Sequence, residues 1–120
     1  MTDQAKGAFD GEQLLSRVEN DWELLDELFE DFVEDTAERM EGAASAAESG
    51  DFENLKERAH ALKGCIANFC ADGVRGLAAE LERAAADRDA SACTRLVGAL
   101  GPELEGLTEG LRSFLEKRGA

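Results

Sequence analysis

The chain has no tyrosine, one proline, one histidine and one tryptophan in 120 residues. β-Branched residues are sparse, and no Asn-Gly or Asp-Gly hairpin sits between alternating apolar runs, so strands have almost no signal. Basic residues are also scarce: 13 Lys and Arg against 27 Asp and Glu leave a formal charge of −14. Phosphate backbones need clustered Lys and Arg, which excludes nucleic acid as a partner. An anionic membrane surface is disfavoured for the same reason. No apolar run approaches the ~18 residues of a membrane span. The polar start, Met1 to Gly7, has no apolar h-region, so no secretory signal is expected. Cys65, Cys70 and Cys93 are an odd set without CxxC spacing, which points away from a disulfide framework and towards a reducing cytoplasm. Neither GxxxxGK[ST] nor GxGxxG occurs, so no nucleotide loop is expected.

What is present reads as helix. The length fits one domain with a single core. Residues 1–8 are expected to form a flexible N-terminus, and the folded domain to run over 9–118. Asp10 can cap a short first helix with Leu14, Leu15 and Val18 on one side. Asn20 and Glu23 read as a capping box opening a long second helix. Its face holds Trp22, Leu25, Phe29, Phe32, Thr36, Met40, Ala43 and Ala47, until Gly50 stops it and Asp51 caps the next. The third helix carries Phe52, Leu55, Ala59, Leu62, Ile66 and Phe69 at 3-4-3-4-3 spacing and ends near Asn68–Ala71. A fourth, Gly73 to Arg88, buries Val74, Leu77, Ala78 and Leu81.

Asp89 caps the last helix, whose stripe is Cys93, Val97, Leu100, Leu104, Leu107, Leu111 and Phe114. The heptad phase runs unbroken across Pro102, and the residue four before it is Gly98. A bent but continuous helix is therefore expected, with a break at Gly101 as the alternative. Short joints between such helices predict an all-α, antiparallel up-down four-helix bundle. The additional N-terminal helix would lie across one end.

The lone histidine is the candidate for chemistry. At 100° per residue His60 lies roughly 130° from the centre of its helix's buried stripe, so it faces solvent. A bland surface histidine is the simplest reading of that. Its neighbours argue otherwise. Lys56 at i−4 and Lys63 at i+3 place two cations on the same side, in a chain that is otherwise strongly acidic. Such a zone suits a phosphoryl group. Gly64 costs a mid-helix position about 1 kcal/mol relative to alanine, yet it sits nearly opposite the buried stripe. Core packing cannot explain it, whereas close approach of another protein can.

An ordinary imidazole is mostly unprotonated at neutral pH, which leaves one ring nitrogen nucleophilic. No second histidine exists to assist hydrolysis. Cys65 is rotated roughly 140° from His60, so the cysteines and His60 cannot converge on one metal ion. The cysteines, Trp22 and the phenylalanines read as core, and the carboxylates as solvated helix faces.

His60-Ala61-Leu62-Lys63-Gly64, then Ala67-Asn68-Phe69, Leu77 and Glu80-Leu81-Glu82, resemble the histidine-containing phosphotransfer (HPt) domains of multistep phosphorelays. The likeness extends over roughly residues 9–117. It implies a cytoplasmic, monomeric four-helix bundle that accepts phosphoryl on His60 from a receiver-domain aspartyl phosphate and passes it to another receiver. Lys63 would neutralise the phosphoryl group. Lys56, Gly64 and Ala67 would meet the partner, together with an apolar patch of Phe9, Leu14, Leu15 and Val18. Partners would be response-regulator receiver domains and a hybrid histidine kinase. The chain would bind no cofactor or metal, with Mg²⁺ held by the receiver, and would have no autonomous kinase activity. Many members have glycine ten residues after the histidine. Cys70 stands there instead, so the turn is expected to rely on Asn68, Asp72 or Gly73.

Two other readings share these residues. One is the histidine-bearing substrate domain of a chemotaxis-type histidine kinase, phosphorylated from ATP by a separate catalytic core. The other is an acidic bundle that binds partners without phosphorylation. A dimerising kinase domain fits poorly, because Ala61 follows the histidine where that type has an acidic residue, and the sole proline is Pro102.

Overall fold

Four aspartates set four of the five helix starts. The computed structural model describes residues 9–117, so the expected flexible segment 1–8 and position 118 lie outside the described residues. Helices α1 (Gly11–Arg17), α2 (Trp22–Ser49), α3 (Phe52–Ala67), α4 (Asp72–Ala86) and α5 (Ala90–Glu116) follow in order. Asp10, Asp21, Asp51 and Asp89 precede α1, α2, α3 and α5. Each accepts a hydrogen bond from the backbone N–H three residues on, at 3.0, 3.0, 3.2 and 3.1 Å. Each bond satisfies a donor that the first helical turn leaves unpaired, a contribution of about 1 kcal/mol. Ala71 precedes α4 and provides no side-chain cap.

Two joints depart from expectation. The cap of α2 is Asp21, not Asn20. Glu19 and Asn20 both take left-handed backbone, with φ 54° and 62°, and the Asn20 N–H is engaged by the Leu15 carbonyl at 2.8 Å. That turn sets Asp21 in the extended conformation a cap requires. The second departure is the α3–α4 turn, which relies on Cys70 itself, at φ 56°, and not on Asn68, Asp72 or Gly73. A left-handed non-glycine residue costs about 1–2 kcal/mol. Here the conformation is held by burial of the side chain and by the Asp10 N–H, which donates to the Cys70 carbonyl at 3.0 Å. At the α2–α3 joint Gly50 supplies the left-handed stop, with φ 74°.

Helices α2, α3, α4 and α5 pack each against the next, and α5 returns to α2, closing an up-down-up-down ring. Leu25, Leu55, Leu62, Ile66, Leu81, Leu100, Leu107 and Leu111 fill its centre. Thr36, the buried polar side chain among the described residues, donates its hydroxyl to the Phe32 carbonyl at 2.7 Å, so that hydroxyl is not stranded. Helix α5 continues through Pro102. The carbonyl that Pro102 leaves unpaired belongs to Gly98, an exposed residue where water can satisfy it.

Helix α1 covers the end where α2 begins and α3 and α5 finish. Leu14 and Val18 seal the core from above. Arg17 donates to the Ala67 carbonyl at 3.0 Å. The rings of Phe9 and Trp22 rest on Phe114 at 5.5 and 5.3 Å. Among the described residues there is no strand, and no helix is long and apolar enough to cross a membrane.

Candidate functional site

Buried Leu55, Ala59, Leu62 and Ile66 turn the opposite side of α3 outward. His60 stands at mid-helix on that side, with 68% of its side chain exposed. Its Nδ1 lies 3.0 Å from Oε2 of Glu82, a residue of α4. The other oxygen of the same carboxylate, Oε1, lies 2.8 Å from the Lys63 ammonium. Glu82 therefore bridges His60 and Lys63, and buried Leu81 beside it fixes its place on α4.

The electrostatics define the ring's proton arrangement. The hydrogen bond from Lys63 is the main cause that holds the Glu82 carboxyl below the usual carboxylate range; burial opposes it, and the hydrogen bond from His60 and the charges of both partners add to the lowering. An ionised carboxylate can only accept, so the imidazole proton of this bond sits on Nδ1. In the neutral ring Nε2 then keeps its lone pair and faces solvent. A ring held this way can act as a nucleophile, with a negative charge behind it.

The sequence-expected residues are placed unevenly around this centre. Lys63 is beside His60 and is ion-paired with Glu82, which offsets part of the positive zone expected from Lys56 and Lys63. Lys56 is exposed one turn before His60 and lines a small cleft with Phe52 and Arg88. The Arg88 guanidinium lies 5.1 Å from the centre of the Phe52 ring. A Cβ built on Gly64 would meet nothing within 4 Å. Nothing within the chain therefore requires glycine there, and its absent side chain leaves the approach to His60 open. Ala67 is half-buried near the end of α3, its carbonyl engaged by Arg17.

The expected apolar patch is contradicted in part. Leu14 and Val18 are only 1% and 8% exposed, because the apolar side of α1 is the underside of a lid. Phe9 and Leu15 are half-buried, with Phe9 against Phe114. Among the described residues, the large apolar side chains that do stand exposed are Leu24 and Leu28, each at 40%. Leu28 lies seven residues before Asp35, whose charge is felt at Cys65 of α3. By helical phase, then, Leu28 occupies the side of α2 that faces α3.

Burial pushes the thiols of Cys65, Cys70 and Cys93 up, which keeps them protonated. No group of three or more His, Cys, Asp or Glu able to hold a metal occurs among the described residues.

Sequence reasoning named Glu82 only as part of a motif and did not place it against His60 and Lys63. One signal could have found it: His60 and Glu82 lie equally far on either side of Ala71, at the turn between antiparallel helices.

Comparison with known proteins gives two results. A family model described as Hpt domain matches residues 27–114. The crystal structure of histidine-containing phosphotransfer protein B (HptB) from Pseudomonas aeruginosa PAO1 is similar, with a TM-score of 0.84 and 25% identity over 91% of this chain and 95% of that one. No curated protein sequence matches.

Proposed function

The chain belongs to the Hpt domain family, and from that premise we propose that it is a phosphorelay intermediate, taking phosphoryl on His60 from one receiver domain and giving it to another. The observation that carries this reading is the exposed His60 ring whose Nδ1 is tied to ionised Glu82. Nε2 attacks the phosphorus of an aspartyl phosphate. The N–P bond forms as the P–O bond to the aspartate breaks, and the receiver's carboxylate leaves with the electron pair. The proton on Nδ1 stays where it is. The ring therefore becomes a phosphorylated imidazolium, and the Glu82 carboxylate offsets its positive charge. In onward transfer the same ring departs as neutral imidazole, which makes it a good leaving group.

Lys63 contributes by moving. In the resting chain its ammonium sits on Glu82. Rotation about its flexible stem carries it towards a phosphoryl group on Nε2, where positioning and charge neutralisation do most of the work of such transfers. Gly64 gives the receiver's backbone room beside His60, and Lys56 adds positive charge one turn away. The receiver rests on Leu24 and Leu28 of α2 and supplies the Mg²⁺ and the catalytic aspartate. A hybrid histidine kinase stands upstream, and the domain works as a cytoplasmic monomer.

The test is to mix the protein with a receiver domain carrying ³²P on its aspartate. Acid-labile, alkali-stable label on wild type and none on His60→Gln is the expected result. Equal label on both proteins overturns the reading. Label acquired only from ATP and a kinase catalytic core, with no exchange with receivers, would instead assign the chain to the substrate domain of a chemotaxis-type kinase.

A further inference from the structure

The face opposite His60 carries an apolar groove. His60 and Glu82 lie on α3 and α4, whereas α2 and α5 meet on the other side of the ring and leave a groove of about 590 Å³ between them. Its lining runs from Val33 to Ala44 on α2 and from Gly101 to Arg112 on α5. At 1.5 Å per residue that is roughly 16 Å, the length of three helical turns. Val33, Met40 and Leu104 supply apolar contact. Ala37 and Gly101 leave the space, and a Cβ on Gly101 would meet nothing within 4 Å.

The polar groups of the lining are Thr36, Thr108, Arg112 and the carboxylates Glu41, Glu105 and Glu109. Thr36, its buried polar residue, has its hydroxyl engaged by the Phe32 carbonyl at 2.7 Å. The cation at one end, Arg112, is paired with Glu109 at 2.8 Å and leans on the Phe29 ring.

The charge around the groove selects the occupant. Helix α2 carries ten acidic residues against one basic residue, Arg39. Glu41 and Glu105 stand exposed on the two rims. An apolar floor three turns long between acidic walls complements a helix with one apolar stripe and basic flanks. We propose that the α2/α5 groove binds a basic amphipathic helix, about three turns long, from a partner protein. Its apolar residues at i, i+3 or i+4, and i+7 lie on Val33, Met40 and Leu104, and its Lys or Arg residues meet Glu41 and Glu105. The site is separate from the histidine chemistry, so a partner held there leaves His60 open.

The experiment uses a fluorescein-labelled helical peptide of about 14 residues, with leucine at helical spacing and lysine elsewhere, titrated against the whole chain at physiological salt and followed by anisotropy. Amide NMR shifts on peptide addition are expected to cluster at 33–44 and 101–112. Ala37→Trp, which fills the groove, is expected to weaken binding at least tenfold with an unchanged melting temperature. Glu41→Lys with Glu105→Lys should weaken it as much, while Glu80→Lys with Asp87→Lys, the same change in net charge elsewhere, should weaken it less than threefold. Should Ala37→Trp fail to fold, the two charge pairs decide. Shifts centred outside the groove, binding by folded Ala37→Trp at wild-type strength, or equal loss in both charge pairs would overturn the proposal. Labelling of His60 from a phosphorylated receiver, measured on Ala37→Trp and on Glu41→Lys with Glu105→Lys, is expected to match wild type, which keeps this outcome apart from that of the relay reading.

Discussion

The Nδ1 atom of His60 lies 3.0 Å from Oε2 of Glu82, a residue of the neighbouring helix that ion-pairs with Lys63 through its other oxygen. One carboxylate thus holds the imidazole and the ammonium together.

Glu82→Ala is expected to slow phosphoryl transfer to His60 by about 10- to 100-fold, the range for losing a hydrogen bond to a charged group of about 1.5–3 kcal/mol. Glu82→Gln keeps an acceptor and should lose less. Single-turnover transfer from a phosphorylated receiver measures the rate, and ¹⁵N shifts of the imidazole report the tautomer. In the alanine variant the Nδ1–H form should lose its dominance. A normal rate accompanied by a changed tautomer would show that the ring's proton arrangement does not matter to transfer.

The same carboxylate makes a pH prediction. Lys63 and His60 hold it below its ordinary value, so the folded chain favours the ionised form. A group depressed in this way contributes stability above its unfolded value, and the contribution is lost as pH falls through the folded one. The stability gap between wild type and Glu82→Gln should therefore be larger at about pH 5 than at about pH 3. Urea unfolding at the two pH values gives the gap directly. A gap that grows towards acid contradicts the assigned direction.

Gly64 should separate stability from function. Alanine has room there and helix propensity favours it by about 1 kcal/mol, so Gly64→Ala is expected to raise the melting temperature. Gly64→Gln, which projects a long side chain beside His60, is expected to cut transfer from a receiver at least tenfold while the fold persists. Thermal unfolding and transfer kinetics on the two variants check this. Full transfer activity in Gly64→Gln would remove the glycine from the docking surface.

The exposed leucines and the lid leucine should behave in opposite ways. Leu24→Asp with Leu28→Asp is expected to weaken receiver-dependent labelling with little change in urea midpoint, since both side chains stand in solvent. Leu14→Ala, at a site only 1% exposed, is expected to cost about 2–5 kcal/mol. Loss of fold in the first pair, or stability unaffected in the second, would reverse the assignment of docking and core residues.

What could be read in the sequence was what depends on near neighbours. Asp10, Asp51 and Asp89 as caps, Gly50 as a stop and the outward phase of His60 all follow from residues within about a turn. Continuity of α5 through Pro102 followed from the heptad phase on either side. Asn20 and Asp21 are both competent caps, and the choice between them is made by the Leu15 carbonyl, which engages the Asn20 N–H. The left-handed Cys70 depends on α1, sixty residues earlier in the chain, reaching back to its carbonyl. Glu82 could be named within a motif but not paired with His60 and Lys63, because those contacts exist only once α3 and α4 are paired in register. Leu14 and Val18 looked like a docking patch because the apolar side of a short helix reads the same whether it meets a partner or its own core.

The lid formed by α1 also bears on where this domain can be cut or joined. The family match begins at residue 27, inside α2. A truncation made there would discard Leu14, Val18 and Leu25 from the core, and would release the carbonyls of Ala67 and Cys70 that Arg17 and Asp10 now occupy. The last turn of the helix bearing His60 would lose its clamp, although every residue of the histidine motif remained. For fusion to a kinase or receiver, the junction belongs ahead of Phe9.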